Sequence, residues 1–259
     1  MTAAAASLTT APPSRRPSRV LGVVRLHLVD GWNYVFVPWL VTGAALLISI
    51  VIAIIIARAS GGGAVGADGF TEGVQFSGAG QAMFWYLGVI AIQTINLALP
   101  FALGLSVTRR EFLLGTGAVF LGISLINSAL YTVLGGLEEL TGGWWVGTRM
   151  FTSLMLHEVD PLGRFVFFTC LHLVVFTVGA AMASVFFRWK AMGTTITIIA
   201  LAFLLVGLAA LVTFTDGWAG VGDWLAGSGT VGIGLWTLPL TALCSLATWA
   251  LLSRATPKG

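Results

Sequence analysis

Six apolar runs, each about as long as a bilayer-crossing helix and each closed by a short polar interruption, constrain this chain more than any motif in it. They fall at about 36–57, 82–105, 112–134, 165–187, 192–214 and 231–252. A spanning helix needs roughly 20 predominantly apolar residues, so six of them take up most of the 259 residues and leave room for no large soluble domain. Charge agrees with this: 9% of residues are charged, where a soluble domain carries about a quarter. The expected fold is all-α, a polytopic membrane protein with six transmembrane helices, an N-terminal interfacial amphipathic helix and both termini cytoplasmic.

Orientation follows from where the basic residues sit. Arg15, Arg16, Arg19, Arg25, Arg109, Arg110, Arg188, Lys190, Arg254 and Lys258 fall on one side of a six-span topology, and only Arg58, Arg149 and Arg164 on the other. The positive-inside tendency assigns the first group to the cytoplasm. Eight of the ten acidic residues then lie outside. The net charge of +3 reports this topology and not a nucleic-acid partner. Cys170 and Cys244 both sit inside apolar runs and read as small packing residues.

Residues 1–18, rich in Ala, Ser, Thr and Pro, read as a disordered cytoplasmic tail, and 19–259 as one six-span transmembrane domain. From Arg19 to Asn33, Val20, Leu21, Val24 and Leu28 share one helical face and Arg19, Gly22, Arg25, Asp30 and Asn33 the other, the pattern of a helix lying in the interface. Trp32, Tyr34 and Trp39 then introduce the first span at headgroup level. A Gly-rich loop follows, and the longest outer segment, 135–163, reads as a short amphipathic helix with solvated acidic residues. His157, Glu158 and Asp160 lack the spacing of a metal site. His172, inside the fourth span with Thr169 and Thr177 nearby, reads as a hydrogen-bonded core residue.

Two polar stripes cross the apolar runs. Gln93, Asn96 and Pro100 share one face of the second span. Ser124, Asn127, Ser128 and Tyr131 share one face of the third. Either the stripes bond across a helix pair as packing glue, or Gln93, Asn96, Ser124, Asn127 and Tyr131 line a substrate path.

Between the second and third spans lies the compact polar tip Gly104-Leu105-Ser106-Val107-Thr108-Arg109-Arg110-Glu111-Phe112. This tip, set between those two of six spans, resembles the coupling loop of ATP-binding-cassette export permeases of the type-2 class. The resemblance implies that Ser106, Val107, Thr108, Arg109, Arg110, Glu111 and Phe112 dock on a separate cytoplasmic ATPase dimer carrying ATP and Mg, and that a second copy or a related permease completes the transporter. The chain itself has no glycine-rich loop with a following Lys and Ser or Thr, and no acid pair inside a span of the kind proton-coupled carriers use. An active transporter of this shape must therefore take its energy from a partner. The expected function is export of an amphipathic or hydrophobic substrate across the cell membrane, with a bacterial plasma membrane as the setting. The alternatives are a non-transport assembly or sensor protein on the same fold, and an intramembrane hydrolase, for which His172 finds no convincing nucleophile beside it.

Overall fold

The computed structural model describes residues 19–29, 31–61, 78–152, 156 and 158–253. The expected tail, the loop bearing Asp68 and Glu72, His157, and the terminal Arg254 and Lys258 lie outside the described residues. Within them the secondary structure is helical: α1 Arg19–Val29, α2 Val37–Ala59, α3 Ala82–Gln93, α4 Leu99–Gly104, α5 Arg109–Leu140, α6 Pro161–Phe214 and α7 Trp218–Ser253. Short π turns at Trp32–Phe36 and Thr94–Ala98 join α2 to the residues before it and α3 to α4. Among the described residues five stretches are long and apolar enough to cross a membrane.

Burial follows the logic of a protein whose solvent is hydrocarbon. The buried residues of α2 are Pro38, Thr42, Ser49 and Ala53, while Leu47, Ile48, Val51, Ile52 and Ile55 are exposed. Small and weakly polar groups pack inward and large aliphatics face out, because lipid accepts the aliphatics at no cost and close helix approach needs small side chains. Pro38 lies in the first turn of α2, where its missing N–H costs nothing. Pro100 holds the same place in α4, and the π turn at Thr94–Ala98 precedes it as the one at Trp32–Phe36 precedes Pro38.

The centre is an antiparallel pair, α5 and the first half of α6. Phe120 stacks on Phe176 with ring centroids 4.4 Å apart, and Tyr131 meets Phe168 edge-on at 5.0 Å. Between these two layers Ser128 and His172 touch. α3 crosses α6 closely enough that a Cβ on Gly179 would stand 2.8 Å from both the Ala91 Cβ and the Gly88 carbonyl oxygen. The later part of α7 runs parallel to the first half of α6, with Gly163 beside Val231, Phe167 against Gly234, and Thr237 donating to the Cys170 carbonyl.

α6 is 54 residues long, yet its backbone leaves helical geometry at Lys190, at φ 58 and ψ −156. The polar tip Arg188-Trp189-Lys190 is thus a break in the helix. From Met192 to Phe214 the second half is exposed along almost its whole length. Gly229, at φ 62 and ψ 175, breaks α7 in the same way.

Two sequence expectations change here. α1 docks through Val23 and His27, the residues it buries, and leaves Leu21 and Leu28 exposed. The first turns of α5 have a glycine where α1 crosses, so the contact is set by steric access and not by the most apolar face. Residues 135–140 continue α5 to Leu140, and no separate amphipathic helix follows before α6 among the described residues. The chain instead turns through left-handed Gly142, Trp144 and Trp145.

The α1 contact yields a prediction. A Cβ on Gly115 would stand 2.6 Å from the Val23 Cβ, so Gly115→Val is expected to displace α1 at a cost of about 1–3 kcal/mol, the range for overpacking a tight contact. Faster amide exchange across 19–29 with unchanged exchange in the α5–α6 core would show it. Uniform exchange in both proteins would count against this docking geometry.

Candidate functional site

The tip is built by caps at both of its ends. α4 stops at Gly104, after which the Val107 and Ser106 amides donate to the carbonyls of Ala102 and Leu103. Ser106 takes a left-handed conformation, φ 61. α5 then starts from a capping box: the Thr108 hydroxyl accepts from the Glu111 amide at 3.3 Å, and the Glu111 carboxylate accepts from the Thr108 amide at 2.9 Å and from its hydroxyl. This pairing uses the N-terminal N–H groups that no helix satisfies internally.

The seven tip residues therefore divide by role. Glu111 is engaged in the cap, and Phe112 is fully buried against the His27 ring, with centroids 5.8 Å apart. Arg109 donates to the Leu252 carbonyl at the end of α7, and Arg19 at the start of α1 donates to the Ser106 carbonyl. Arg110 is exposed and has no hydrogen bond or ion pair among the described residues. Ser106 and Thr108 are exposed and Val107 half-exposed. What the tip offers outward is one free arginine on a backbone fixed to three helices.

Behind the tip, His27 is buried between α1 and α5. Its Nδ1 donates to the Val23 carbonyl at 2.9 Å and its Nε2 lies 3.3 Å from the Thr116 hydroxyl. The Tyr34 and Phe112 rings cover it. Burial pushes the imidazole below its usual range, and the Val23 carbonyl offsets only part of this.

The polar stripes are placed unequally. Gln93 is exposed and Asn96 half-exposed, whereas Thr94 between them is buried, 2.5 Å from the Tyr34 hydroxyl. Ser124, Asn127 and Tyr131 are all buried. Asn127 Oδ1 accepts from the Trp39 indole at 3.1 Å, and the Tyr131 hydroxyl donates to the Gly80 carbonyl at 3.1 Å. The two stripes are not brought together. His172 is buried as expected, but it bonds to Phe168 and Ser128 and not to Thr169 or Thr177, whose hydroxyls turn to their own helix.

A cleft of about 990 Å³ lies between α3 and the first half of α6. Phe84, Phe168, Val175 and Met182 are among its walls, Tyr131 lies at its back, Gln81 and Thr230 also line it, and exposed Trp85 borders it. Its lining is almost wholly apolar, so it suits hydrocarbon-like matter.

At the end of the bundle away from the tip, Glu138 forms a junction that sequence reasoning placed in a solvated loop. It is 1% exposed. Its carboxylate accepts from the successive amides of Met150, Phe151 and Thr152, from the Thr152 hydroxyl and from the Trp144 indole. Beside it Arg164 pairs with Glu139 and donates to the Leu156 carbonyl at 2.9 Å. Met150 and Leu156 also line the cleft, so this junction holds one end of it. Among the described residues no group of three His, Cys, Asp or Glu is arranged to hold a metal.

Comparison of the chain with protein-family models, with curated proteins and with solved structures finds no match. The described residues define an all-helical protein with five helical stretches long and apolar enough to cross a membrane, braced at one end around a polar tip and at the other around a buried carboxylate.

Glu138→Ala leaves three buried amides without an acceptor, at about 1–3 kcal/mol each. The expected result is a marked fall in melting temperature together with altered Trp144 fluorescence. An unchanged melting temperature would mean that the carboxylate does not hold the 148–152 turn.

His27 gives a pH dependence of definite sign. An undocked imidazole titrates near ~6.5, and the docked one lower, so the undocked form binds more protons as pH falls. The docking contribution is complete above ~6.5 and is lost as pH drops toward the lowered docked value. Amide exchange of 19–29 should accelerate over that window, and His27→Leu should flatten the response. Equal pH dependence in both proteins would rule out His27 as its source.

Proposed function

We propose that this chain is the membrane subunit of an ATP-binding-cassette exporter of the type-2 class. It moves an amphipathic or hydrophobic molecule outward, driven by a separate cytoplasmic ATPase dimer that binds ATP and Mg. The observation that carries this reading is the bracing of the tip. A loop that transmits force must be stiffly joined to the spans it moves, and here Arg109 joins it to α7, Arg19 joins α1 to it, and the Thr108–Glu111 cap fuses it to α5. Arg110 is left free to make a charge-assisted contact with an acidic groove.

The six-span topology belongs to the same proposal. A continuous helix of 54 residues would be about 80 Å long, far beyond a hydrocarbon core of about 30 Å. In this reading α6 turns back at the Lys190 break to make two spans, and the positive-inside tendency assigns Arg188, Lys190 and both termini to the cytoplasm. Exposed Gln93, in the middle of its span, supports a second permease facing α3, because an amide is costly to leave in hydrocarbon. The bacterial plasma membrane is the proposed site.

The test is charge reversal at the tip. Arg110→Glu places like charges against an acidic groove at a cost of several kcal/mol, so an ATPase carrying the P-loop motif should cease to co-purify from native membranes while the subunit still inserts. Arg15→Glu with Arg16→Glu is the control and should retain it. Equal retention by both proteins, or no such ATPase with the unaltered chain, would overturn the exporter reading.

A further inference from the structure

Where α2, α3, α5 and α6 meet, three polar side chains are buried with one functional atom each lacking a partner among the described residues. Ser124, Asn127 and His172 are exposed by 0%, 3% and 0%, and the atoms concerned are Ser124 Oγ, Asn127 Nδ2 and His172 Nε2. Buried polar atoms are almost always paired, and an orphan in low dielectric is costly.

The bonds that these residues do make fix what each orphan offers. An indole N–H only donates, so the Asn127 atom 3.1 Å from Trp39 Nε1 is the carbonyl oxygen, and Nδ2 holds two free donors. A backbone carbonyl only accepts, so His172 Nδ1, 2.7 Å from the Phe168 oxygen, carries the ring proton and Nε2 presents a lone pair. The Ser128 hydroxyl donates to the Ser124 carbonyl at 2.6 Å and so stands as an acceptor 3.1 Å from Nδ1. Ser124 lies one turn from Ser128, about 5.4 Å along α5, and its hydroxyl can donate or accept. The three side chains thus offer a donor, an acceptor and a group that serves as either.

The occupant is constrained from both sides. Phe84 and Tyr131 pack on the His172 ring, with centroids 4.7 and 5.6 Å away, Trp39 bonds Asn127, and the Phe168 carbonyl bonds His172. None of these groups is charged, so nothing compensates a buried ion. The amide donors of Asn127 repel a cation, and the imidazole lone pair repels an anion. A guest must be small, neutral, and both donor and acceptor.

We propose that Ser124, Asn127 and His172 form a hydrogen-bonding site for water in the middle of the bundle, with the guest accepting from Asn127 Nδ2, donating to His172 Nε2 and bonding Ser124 Oγ. The site holds His172 in its Nδ1–H form and supplies the partners that the helices do not. It is independent of the exporter reading, since it concerns hydrogen bonds within one chain.

The experiment is ¹⁵N spectroscopy of the full chain labelled at histidine in lipid nanodiscs, with His172→Gln identifying the His172 signals. The expected result is a protonated Nδ1, an Nε2 resonance displaced from the free imine position by a hydrogen bond, and magnetisation transfer from water to the ring. Asn127→Leu should move Nε2 toward the free position while the His27 signals persist, and Ser124→Ala provides the same comparison if Asn127→Leu fails to fold. A protonated Nε2, or a free one, overturns the proposal. So does a hydrogen-bonded Nε2 without transfer from water, because the ring would then be bonded directly to protein.

Discussion

Hydrocarbon offers no hydrogen bond, so polar atoms carried into the bundle must find their partners inside it. The hydroxyls meet this locally. Thr42, Ser49, Thr94, Ser128, Thr132, Thr169, Thr177 and Ser184 all donate to the carbonyl four residues earlier on their own helix. These bonds satisfy the hydroxyl donors within their own helices, and the oxygens of Thr94 and Ser128 remain able to meet Tyr34 and His172. Groups that cannot bond backward fasten one element to another: Trp39 to Asn127, Tyr34 to Thr94, Tyr131 to Gly80.

How much of this was legible in the sequence depends on the range of the interaction. Helix existence and the tip were legible because they rest on local signals, namely apolar run length and charge clustering. Thr108 and Glu111 also carry the Thr-x-x-Glu signature of a capping box, which the sequence already contains and which explains why Glu111 is not a free surface charge. Glu138 was not legible. Its burial depends on a turn that delivers three amides from residues 150–152, and its charge next to Glu139 reads as solvated until that turn is in place. His27 was missed for a similar reason: its partner Thr116 is remote in sequence, and a face count by hydrophobicity ranks Leu21 and Leu28 ahead of it. The division of the tip arginines depended on Leu252, at the far end of the chain.

The two ends of the bundle are held by different chemistry. At the tip, charged side chains meet backbone carbonyls at helix ends: Arg19 at Ser106 and Arg109 at Leu252. These carbonyls have no intrahelical donor, and cations favour the negative end of a helix dipole, so the sequence spends arginines where the helices leave acceptors. At the opposite end an anion collects successive amide donors. Donor and acceptor roles are thus exchanged between the ends, and each end closes over elements distant in sequence.

The middle of the bundle is packed by another means. Aromatic layers, Phe120 on Phe176 and Tyr131 on Phe168, fix the register of α5 against α6, and the close approach at Gly179 fixes α3. On the flank of this rigid pair, α6 beyond Lys190 exposes most of its side chains and α7 is bound mainly along one face. Contacts made by the core pair run the length of two helices, whereas the second half of α6 is joined to them through the break at Lys190. A load applied at the tip therefore passes first into α5, α1 and the end of α7, the elements bonded to it, and reaches the second half of α6 indirectly, through side-chain packing and the backbone at Lys190. The unequal bonding makes the tip, α5 and α1 one mechanical body, and leaves the outer helix as the part with the fewest restraints on its position.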